Sequence, residues 1–275
     1  MEKMGFWDHV EALRGVILRS LFVVLSLSIA FFALMPWLFD NVILAPCGSE
    51  FVTYRFLDYI STKSGIAADF IDHNFSVELV NIQLASQFFI HMSTSLWMAV
   101  VFAFPIIIYF IWAFVAPALY PSEKNNLSKV FVLGNVMFYL GVVTGYLLVF
   151  PLTLRFLSDY QISMSVPNII SLDSYIDNFL MLILMMGIIY ELPLVAWLIG
   201  KTGLLNKSFF KKYRRHAVVA LLALAAIITP TGDPFTLIVV FLPIYALWEL
   251  SVFLVPSENS EEENLKLTEA QPSQS

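Results

Sequence analysis

The stretch between Glu78 and Glu123 contains no Asp, Glu, Lys or Arg side chain. A bilayer core is about 30 Å thick and takes about 20 helical residues to cross, so this stretch exceeds what one crossing needs. A second charge-free stretch, residues 130–154, is also long enough to span. The composition agrees, with 59% hydrophobic residues and a mean hydropathy of +0.79. We therefore interpret the chain as a membrane protein that crosses the bilayer several times.

The apolar runs predict an all-α integral membrane protein with six transmembrane helices, at residues 16–39, 85–116, 130–154, 174–200, 214–229 and 235–255. A membrane β-barrel is disfavoured because its strands alternate apolar and polar residues, whereas these runs are apolar on all sides. We expect one membrane domain over residues 1–256, with an outer cap formed by residues 40–84. The acidic, polar segment 257–275 is expected to be a disordered tail.

The distribution of Lys and Arg predicts that both termini are cytoplasmic. With the N-terminus inside, the cytoplasmic segments carry twelve Lys and Arg residues and the outer segments carry three, as the positive-inside rule requires. The fifth and sixth spans are expected to be short. A tight turn at residues 229–234 joins them, and the fifth has twelve uninterrupted apolar residues, 217–228. Such a short span thins the bilayer locally or sits behind its neighbours.

Glu191 is the most informative single residue, because it lies well inside the fourth span. A carboxylate within a bilayer is costly and normally faces a partner or a cavity. Pro193 cannot donate a backbone hydrogen bond, so it frees the carbonyl group of Ile189 in the same turn. A functional polar site and a structural contact between helices both remain open for Glu191. For Glu249, near the cytoplasmic end of the last span, a functional role and a structural role also both remain open.

Nothing in the sequence indicates covalent chemistry, and we expect neither an enzyme nor a bound cofactor. Catalytic patterns such as H-E-x-x-H, G-x-S-x-G and the Walker loop are absent. The four histidines have no metal-ligand spacing on one helix, so no metal site is expected. His91, early in the second span, is interpreted as a hydrogen-bonded packing residue rather than a proton relay. No nucleic-acid partner is expected.

Several stretches, taken together and in order, resemble one known family. Residues His9-Val-Glu-Ala-Leu-Arg14 approach the pattern His-Leu-x-Glu-Leu-Arg, and Phe114-Val-Ala-Pro-Ala-Leu-Tyr-Pro-Ser-Glu123 fits Phe-x-x-Pro-x-Leu-Tyr-x-x-Glu. Tyr190-Glu-Leu-Pro193 matches a Phe/Tyr-Glu-x-Pro motif. Two further stretches agree, Tyr146-Leu-Leu-Val-Phe-Pro151 and Ile228-Thr-Pro-Thr-Gly-Asp-Pro234. From about residue 6 to 255 the chain resembles TatC, the multispanning core of the twin-arginine protein translocase.

The resemblance implies a protein translocase subunit in the bacterial cytoplasmic (inner) membrane, driven by the proton-motive force. It implies a cytoplasmic docking site for twin-arginine signal peptides of folded proteins, formed by Glu11, Arg14, Phe114, Leu119, Tyr120 and Glu123. It also implies an oligomeric complex with the single-span partners TatA and TatB, besides contact with membrane lipid. Three polar residues are implied to serve those partners: Glu191, Asp233 and Glu249.

One departure from the family pattern concerns the N-terminal acid. The second docking carboxylate of the family falls at Ala12, whereas the acid of this chain is Glu11. On a helix, one position turns the side chain by about 100°. Either Glu11 reaches the guanidinium group from a shifted helix, or Glu123 carries more of the recognition. A second departure is Leu237, where the family pattern has Gln.

The alternative function is a proton-coupled secondary transporter of a small solute that uses Glu191 as its proton site. Inverted repeats with paired broken helices would favour that alternative. The sequence shows no convincing repeat.

Overall fold

The computed structural model describes residues 6–64, 75–115, 121–163, 165–166, 168–201, 207–229 and 231–255. Within helix 121–144, the side chains of residues 121–129 lie outside this description. Ten α-helices account for most of the described chain: α1 Phe6–Leu38, α2 Val52–Ser64, α3 Ser86–Val115, α4 Pro121–Thr144, α5 Phe150–Asp159, α6 Leu172–Ile189, α7 Leu192–Lys201, α8 Lys207–Lys212, α9 Arg214–Ile228 and α10 Pro234–Leu254.

Five helical stretches of the described residues are long and apolar enough to cross a membrane. They are Val10–Cys47, Ser86–Phe114, Val130–Asp159, Leu172–Gly200 and Pro234–Leu254. These agree with the first, second, third, fourth and sixth predicted spans. The fifth predicted span is α9, which has 15 residues and a length of about 22 Å, short of the bilayer core.

The expectation that the sixth span is short was wrong. Helix α10 has 21 residues, or about 31 Å at 1.5 Å per residue, which matches a full crossing. Its first residue is Pro234, so the helix uses all of the apolar sequence after the turn. The all-α expectation also missed one small parallel pair of strands, β1 Leu79–Val80 with β2 Ile170–Ser171. This pair ties the segment before α3 to the start of α6.

The core of the bundle surrounds α6. Residues Tyr175, Phe179, Leu182 and Met186 of this helix are buried in one cluster with side chains of α5, α9 and α10. Burying such large apolar side chains stabilises the folded state in the parts of the bundle that face water. In the bilayer, close van der Waals packing takes over this role, because lipid tails are as apolar as leucine.

Three prolines within the long helical stretches leave carbonyl groups that side chains of other helices satisfy. A proline cannot donate to the carbonyl group four residues earlier. Pro36, Pro105 and Pro151 therefore free the carbonyl groups of Phe32, Val101 and Leu147. These accept hydrogen bonds from His91 Nε2 at 2.8 Å, from the Tyr139 hydroxyl group at 3.3 Å and from the Thr53 hydroxyl group, respectively. Each of these proline positions is thus joined to another helix by a hydrogen bond, and His91 makes a hydrogen-bonded packing contact as interpreted.

Two π-helical turns, Phe39–Ile43 and Gly145–Val149, make similar contacts. Backbone hydrogen bonds are irregular in a π-helical turn. The Tyr175 hydroxyl group donates to the Ile43 carbonyl at 2.5 Å, and the Tyr146 hydroxyl group donates to Val42 at 2.9 Å. The π-helical turn that follows α1 is therefore fixed to α6 and to the second π-helical turn, because tyrosine side chains satisfy its carbonyl groups.

Helix α2 packs on the same end of the bundle through Tyr54. Its hydroxyl group lies 3.1 Å from the carbonyl oxygens of both Pro46 and Pro151. The Arg155 guanidinium group lies 5.5 Å from the Tyr54 ring centre and 4.8 Å from that of Phe75. Burial raises the pKa of Tyr54 above its ordinary value, and the charge of Arg155 opposes that rise in part. The tyrosine stays a neutral donor at physiological pH.

These contacts predict slow amide exchange in α2. Backbone amides of residues 55–62 are expected to exchange at least about tenfold more slowly than those of the polar tail 257–275, because ordered, packed amides open rarely. Hydrogen exchange with mass spectrometry measures both regions in one sample. Exchange in α2 as fast as in the tail would contradict its docking on the bundle.

Helices α4 and α6 approach closely through glycines. A Cβ atom on Gly141 would lie 2.8 Å from Gly187 Cα and 2.8 Å from Tyr190 Cβ, and one on Gly187 would lie 2.9 Å from the Phe138 ring. Small residues at such interfaces let helix backbones approach closely within a membrane. The two glycines therefore set the separation of α4 and α6. Helix α6 ends just before Glu191.

Candidate functional site

The residues predicted to dock a signal peptide share one end of the bundle. Phe32 near the end of α1 stacks on His91 near the start of α3 with ring centres 3.9 Å apart. Since the two helices also pack extensively against each other, they run antiparallel. The start of α1, with Glu11 and Arg14, therefore lies at the same end as Phe114 at the end of α3. Helix α4 begins at Pro121 on this end, which brings Glu123 into its first turn.

The individual docking residues are described to different extents. Glu11 and Arg14 are both exposed on α1, and Phe114 is half-buried. Ala12, the position of the family acid, is half-buried, so the carboxylate of this chain sits on the more exposed neighbouring position. The side chain of Glu123 lies outside the described residues, as do Leu119 and Tyr120 entirely.

Glu191 lies at a break between two helices. Helix α6 ends at Ile189 and α7 begins at Leu192, so the carbonyl group that Pro193 frees is at the helix end, as the sequence predicts. The amide group of Glu191 donates to Ile188 at 3.1 Å, and its own carbonyl group accepts from Val195 at 3.0 Å. The break places Glu191 between the two helices, inside the fourth span.

The Glu191 carboxylate faces α4. A Cβ atom on Gly134 would lie 3.4 Å from Glu191 Oε2 and 3.1 Å from Leu194 Cδ2, so Gly134 lies directly against the carboxylate. Its Oε1 atom is buried and has no hydrogen-bond partner among the described residues. Asn135, the next residue of α4, has a buried Oδ1 atom in the same condition. Unsatisfied buried acceptors are costly, so a hydrogen bond from an added donor would stabilise either oxygen.

Gly134 and Asn135 were not predicted from the sequence. A possible signal was Asn135 itself, a polar amide within the charge-free stretch 130–154. Gly134 gives no such signal, because its role depends on which helix packs against it.

Asp233 caps α10. Its Oδ1 accepts from the Thr236 amide group at 2.7 Å, and its Oδ2 accepts from the Thr231 hydroxyl group at 2.6 Å. Burial raises the pKa of Asp233, but the hydrogen bonds from Thr231 and Thr236 together outweigh it, and the net pKa lies below its ordinary value. An N-cap of this kind contributes about 1 kcal/mol to helix stability. Both carboxylate oxygens are thus occupied within the turn.

Glu249 is paired across two helices. Its Oε2 lies 2.5 Å from Arg214 Nη2 at the start of α9, and its Oε1 accepts from the Tyr245 hydroxyl group at 2.8 Å. These contacts fasten the ends of α9 and α10 that lie opposite the 231–233 turn. Of the three polar residues predicted to serve partners, Glu191 therefore has a buried oxygen left unpaired in the described chain.

A family model described as the Sec-independent protein translocase protein TatC matches residues 8–243. The chain belongs to the TatC family. It is 33% identical to the TatC of Blattabacterium sp. subsp. Periplaneta americana over 92% of this chain and 95% of that protein. It is 32% identical to the TatC of Deinococcus radiodurans over 90% of this chain and 84% of that one.

Solved structures of TatC have the same fold as this family member. It superposes on a crystal structure of the twin arginine translocase receptor TatC with a TM-score of 0.69 and 27% identity, covering 90% of this chain and 97% of the other. A second crystal structure of that receptor, in DDM, superposes with a TM-score of 0.71 and 26% identity. It covers 90% of this chain and 98% of the other. This TatC protein is thus a multi-pass membrane protein of the twin-arginine translocase. Among its described residues no group of three or more His, Cys, Asp or Glu side chains is placed to hold a metal ion.

Proposed function

We propose that this TatC protein binds the twin-arginine signal peptides of folded proteins at its cytoplasmic face and assembles their translocase. The family match over residues 8–243 carries the proposal. It is supported by the position of Glu11, Arg14, Phe114 and the Glu123 turn at one end of the bundle. A surface with two carboxylates and an aromatic ring suits a peptide that presents guanidinium groups beside an apolar segment.

The proposed topology has six spans with both termini in the cytoplasm of a bacterium, in its inner membrane. The count of twelve Lys and Arg residues inside against three outside supports this orientation. Helix α9 is the short fifth span, and it crosses where neighbouring helices or a thinned bilayer accommodate about 22 Å. The docking residues then face the compartment in which signal peptides are made.

The chemistry of Arg explains why a pair of arginines is read and a pair of lysines is not. A guanidinium group presents two parallel N–H donors to a carboxylate, whereas an ammonium group acts as a point charge. Glu123 would accept such a bidentate contact, with Glu11 as the second acid. No bond of the substrate is broken in this step, and the proton-motive force supplies the energy for transport.

The test is export of a folded reporter in cells that depend on this chain together with its partner proteins. A reporter with a twin-arginine signal peptide should reach the outer side of the membrane. The same reporter with two lysines should remain inside. Equal export of both would contradict twin-arginine recognition.

TatA- and TatB-type single-span proteins are the proposed partners within the membrane. The unpaired oxygens of Glu191 and Asn135 support a contact there, because a polar donor on a partner helix would satisfy them once the side chains that cover them move aside. A secondary transporter would need a water-accessible path through the bundle to Glu191 and inverted repeats. The family match favours the translocase over that alternative.

Glu191→Ala is expected to lower affinity for the partner helices about fivefold, because one intramembrane hydrogen bond contributes about 1 kcal/mol. Glu191→Gln keeps an acceptor oxygen of the same shape, so its affinity is expected to fall less. Co-purification of the partner proteins with each variant measures the affinity, and a photoreactive residue at position 191, in a separate variant, maps the contact. Signal-peptide binding should be unchanged in both variants, because the docking surface is at the end of the bundle.

The matched control is Asp177→Ala, which removes an exposed carboxylate of the same span before the helix break. It is expected to leave partner contact unchanged. Crosslinks from position 191 that form within this chain alone, with normal export by the Ala variant, would show that Glu191 is a structural contact between helices.

A further inference from the structure

A groove lies between α1 and α3 at the end of the bundle opposite the docking residues. It encloses about 290 Å³ and is lined by Met35, Pro36, Phe39, Asp40, Gln87, Ile90, His91 and Leu172. Most of its wall is apolar, and its polar lining groups are a carboxylate, an amide and an imidazole. This set lies apart from the Glu191 break and from the signal-peptide surface.

The charge pattern of α1 places the groove at the edge of the hydrocarbon core. No Asp, Glu, Lys or Arg lies between Arg19 and Asp40. The 20 intervening residues span about 30 Å as a helix, which equals the thickness of the core. Asp40 therefore lies where acyl chains end and lipid headgroups begin, and the apolar wall extends below it.

Asp40 has no ion-pair partner in the described part of the chain. The cations of this end contact other groups, since Arg55 pairs with Glu50, Arg155 pairs with Asp159, and Lys63 lies over the Tyr59 ring. The other nearby acid, Asp173, accepts a hydrogen bond from the Ser86 hydroxyl group at the start of α3. The groove thus carries an exposed negative charge in the headgroup layer.

His91 adds a second acceptor to the groove. Its Nε2 lies 2.8 Å from the Phe32 carbonyl oxygen. A carbonyl oxygen only accepts, so Nε2 carries the proton and a neutral ring retains Nδ1 as an acceptor. The amide group of Gln87 supplies both a donor and an acceptor. A ligand that fits this set has an N–H-bearing cation, an anionic or polar group that Gln87 can contact, and an apolar tail.

We propose that the groove binds a membrane lipid with a primary-ammonium headgroup, of the phosphatidylethanolamine type. The ammonium group contacts Asp40 and His91, the phosphate group lies toward Gln87, and an acyl chain packs along Pro36 and Phe39. The charge complementarity selects this lipid over an anionic one, whose headgroup Asp40 repels. Binding does not depend on signal-peptide recognition, and the leaflet is the outer one under the proposed topology.

Native mass spectrometry of the purified protein with defined dioleoyl lipids tests the site. Phosphatidylethanolamine is expected to bind wild type more tightly than phosphatidylcholine, which lacks N–H donors, and phosphatidylglycerol, which lacks a cation. Asp40→Asn is expected to lower the phosphatidylethanolamine affinity about tenfold, the effect of losing one charge-assisted hydrogen bond. Asp177→Asn, on the exposed face of α6, is the control and should bind as wild type.

Equal affinity of wild type and Asp40→Asn for phosphatidylethanolamine would overturn the proposal, as would equal binding of either comparison lipid. A photoreactive residue at position 87 tests occupancy in the membrane. Adducts with phosphatidylethanolamine support the site. Adducts with a second polypeptide instead would assign the groove to a protein partner and overturn the lipid proposal.

Discussion

Replacing Glu123 with alanine is expected to weaken binding of a twin-arginine signal peptide about ten- to a hundredfold. A hydrogen bond to a charged group contributes about 1.5–3 kcal/mol, which is this range in affinity. The loss is expected to be large because Glu123 lies in the first turn of α4 on the docking end, whereas Glu11 of α1 stands one position away from the family acid. Crosslinking of a photoreactive signal peptide to membranes containing the variant measures the change.

The matched control is Glu50→Ala. Glu50 is an exposed acid that pairs with Arg55 at the opposite end of the bundle. Its removal should leave signal-peptide crosslinking and membrane insertion at wild-type levels. If Glu123→Ala crosslinks as strongly as Glu50→Ala, Glu123 is a solvated charge at the start of α4 and has no role in docking. Glu11→Ala, tested beside it, separates the two ways in which this chain accommodates the missing acid at position 12.

The second large effect is expected at Gly141. Alanine there would place a Cβ atom 2.8 Å from backbone and side-chain atoms of α6, at Gly187 and Tyr190. The backbone of α6 cannot give way as a flexible side chain does, so α4 and α6 must separate. Overpacking of this kind costs about 1–3 kcal/mol, and the cost is at the upper end because backbone atoms are involved. Thermal unfolding of the detergent-solubilised protein should show a clearly lower Tm.

Gly15→Ala is the control for this substitution. Gly15 also lies inside a helix, but a Cβ atom there would meet only Arg19 Nη2, the end of a flexible side chain, at 4.0 Å. Alanine at this position gains about 0.5–1 kcal/mol of helix propensity without a clash. The two variants should therefore move the Tm in opposite directions. A Gly141→Ala protein as stable as wild type would show that α4 and α6 do not depend on this close approach.

The positions of the long helices follow from the sequence because charge and apolar run length alone fix where a chain can enter a bilayer. The second predicted span, 85–116, differs from α3 by one residue at each end. The first predicted span, 16–39, starts ten residues after α1, because α1 continues back to Phe6 through the polar residues Glu11 and Arg14. Hydropathy marks the membrane-embedded part of a helix, not the part that projects from it.

For the hydrogen bonds between helices, the sequence predicts the acceptor carbonyl groups but not the donors. A proline in a helix shows which carbonyl group is freed, so the carbonyl groups of Phe32, Val101 and Leu147 can be predicted as hydrogen-bond acceptors. Their donors, His91, Tyr139 and Thr53, come from residues between 38 and 94 positions away. Local sequence holds no information on such distant pairing. The strands β1 and β2 escaped prediction for the same reason, being two residues each.

In the candidate site, too, the sequence predicts some features and the packing of the helices determines the others. Glu191 stands out in the sequence because a carboxylate in an apolar span is costly. Its contact with Gly134 of α4 depends on the packing of a different helix. Asp233 and Glu249 carry the same charge, yet hydrogen bonds from the 231–236 turn and from Arg214 and Tyr245 occupy their carboxylates. Whether an acid is satisfied within the chain is a property of the fold.

The central claim is recognition of a twin-arginine signal peptide by this chain, and direct binding tests it. The purified protein in detergent, with a fluorescent signal peptide, gives the affinity by anisotropy. The peptide with two arginines should bind at least about tenfold more tightly than the same peptide with two lysines, and Glu123→Ala should remove most of that difference. Equal binding of the two peptides to the wild-type protein would contradict the claim.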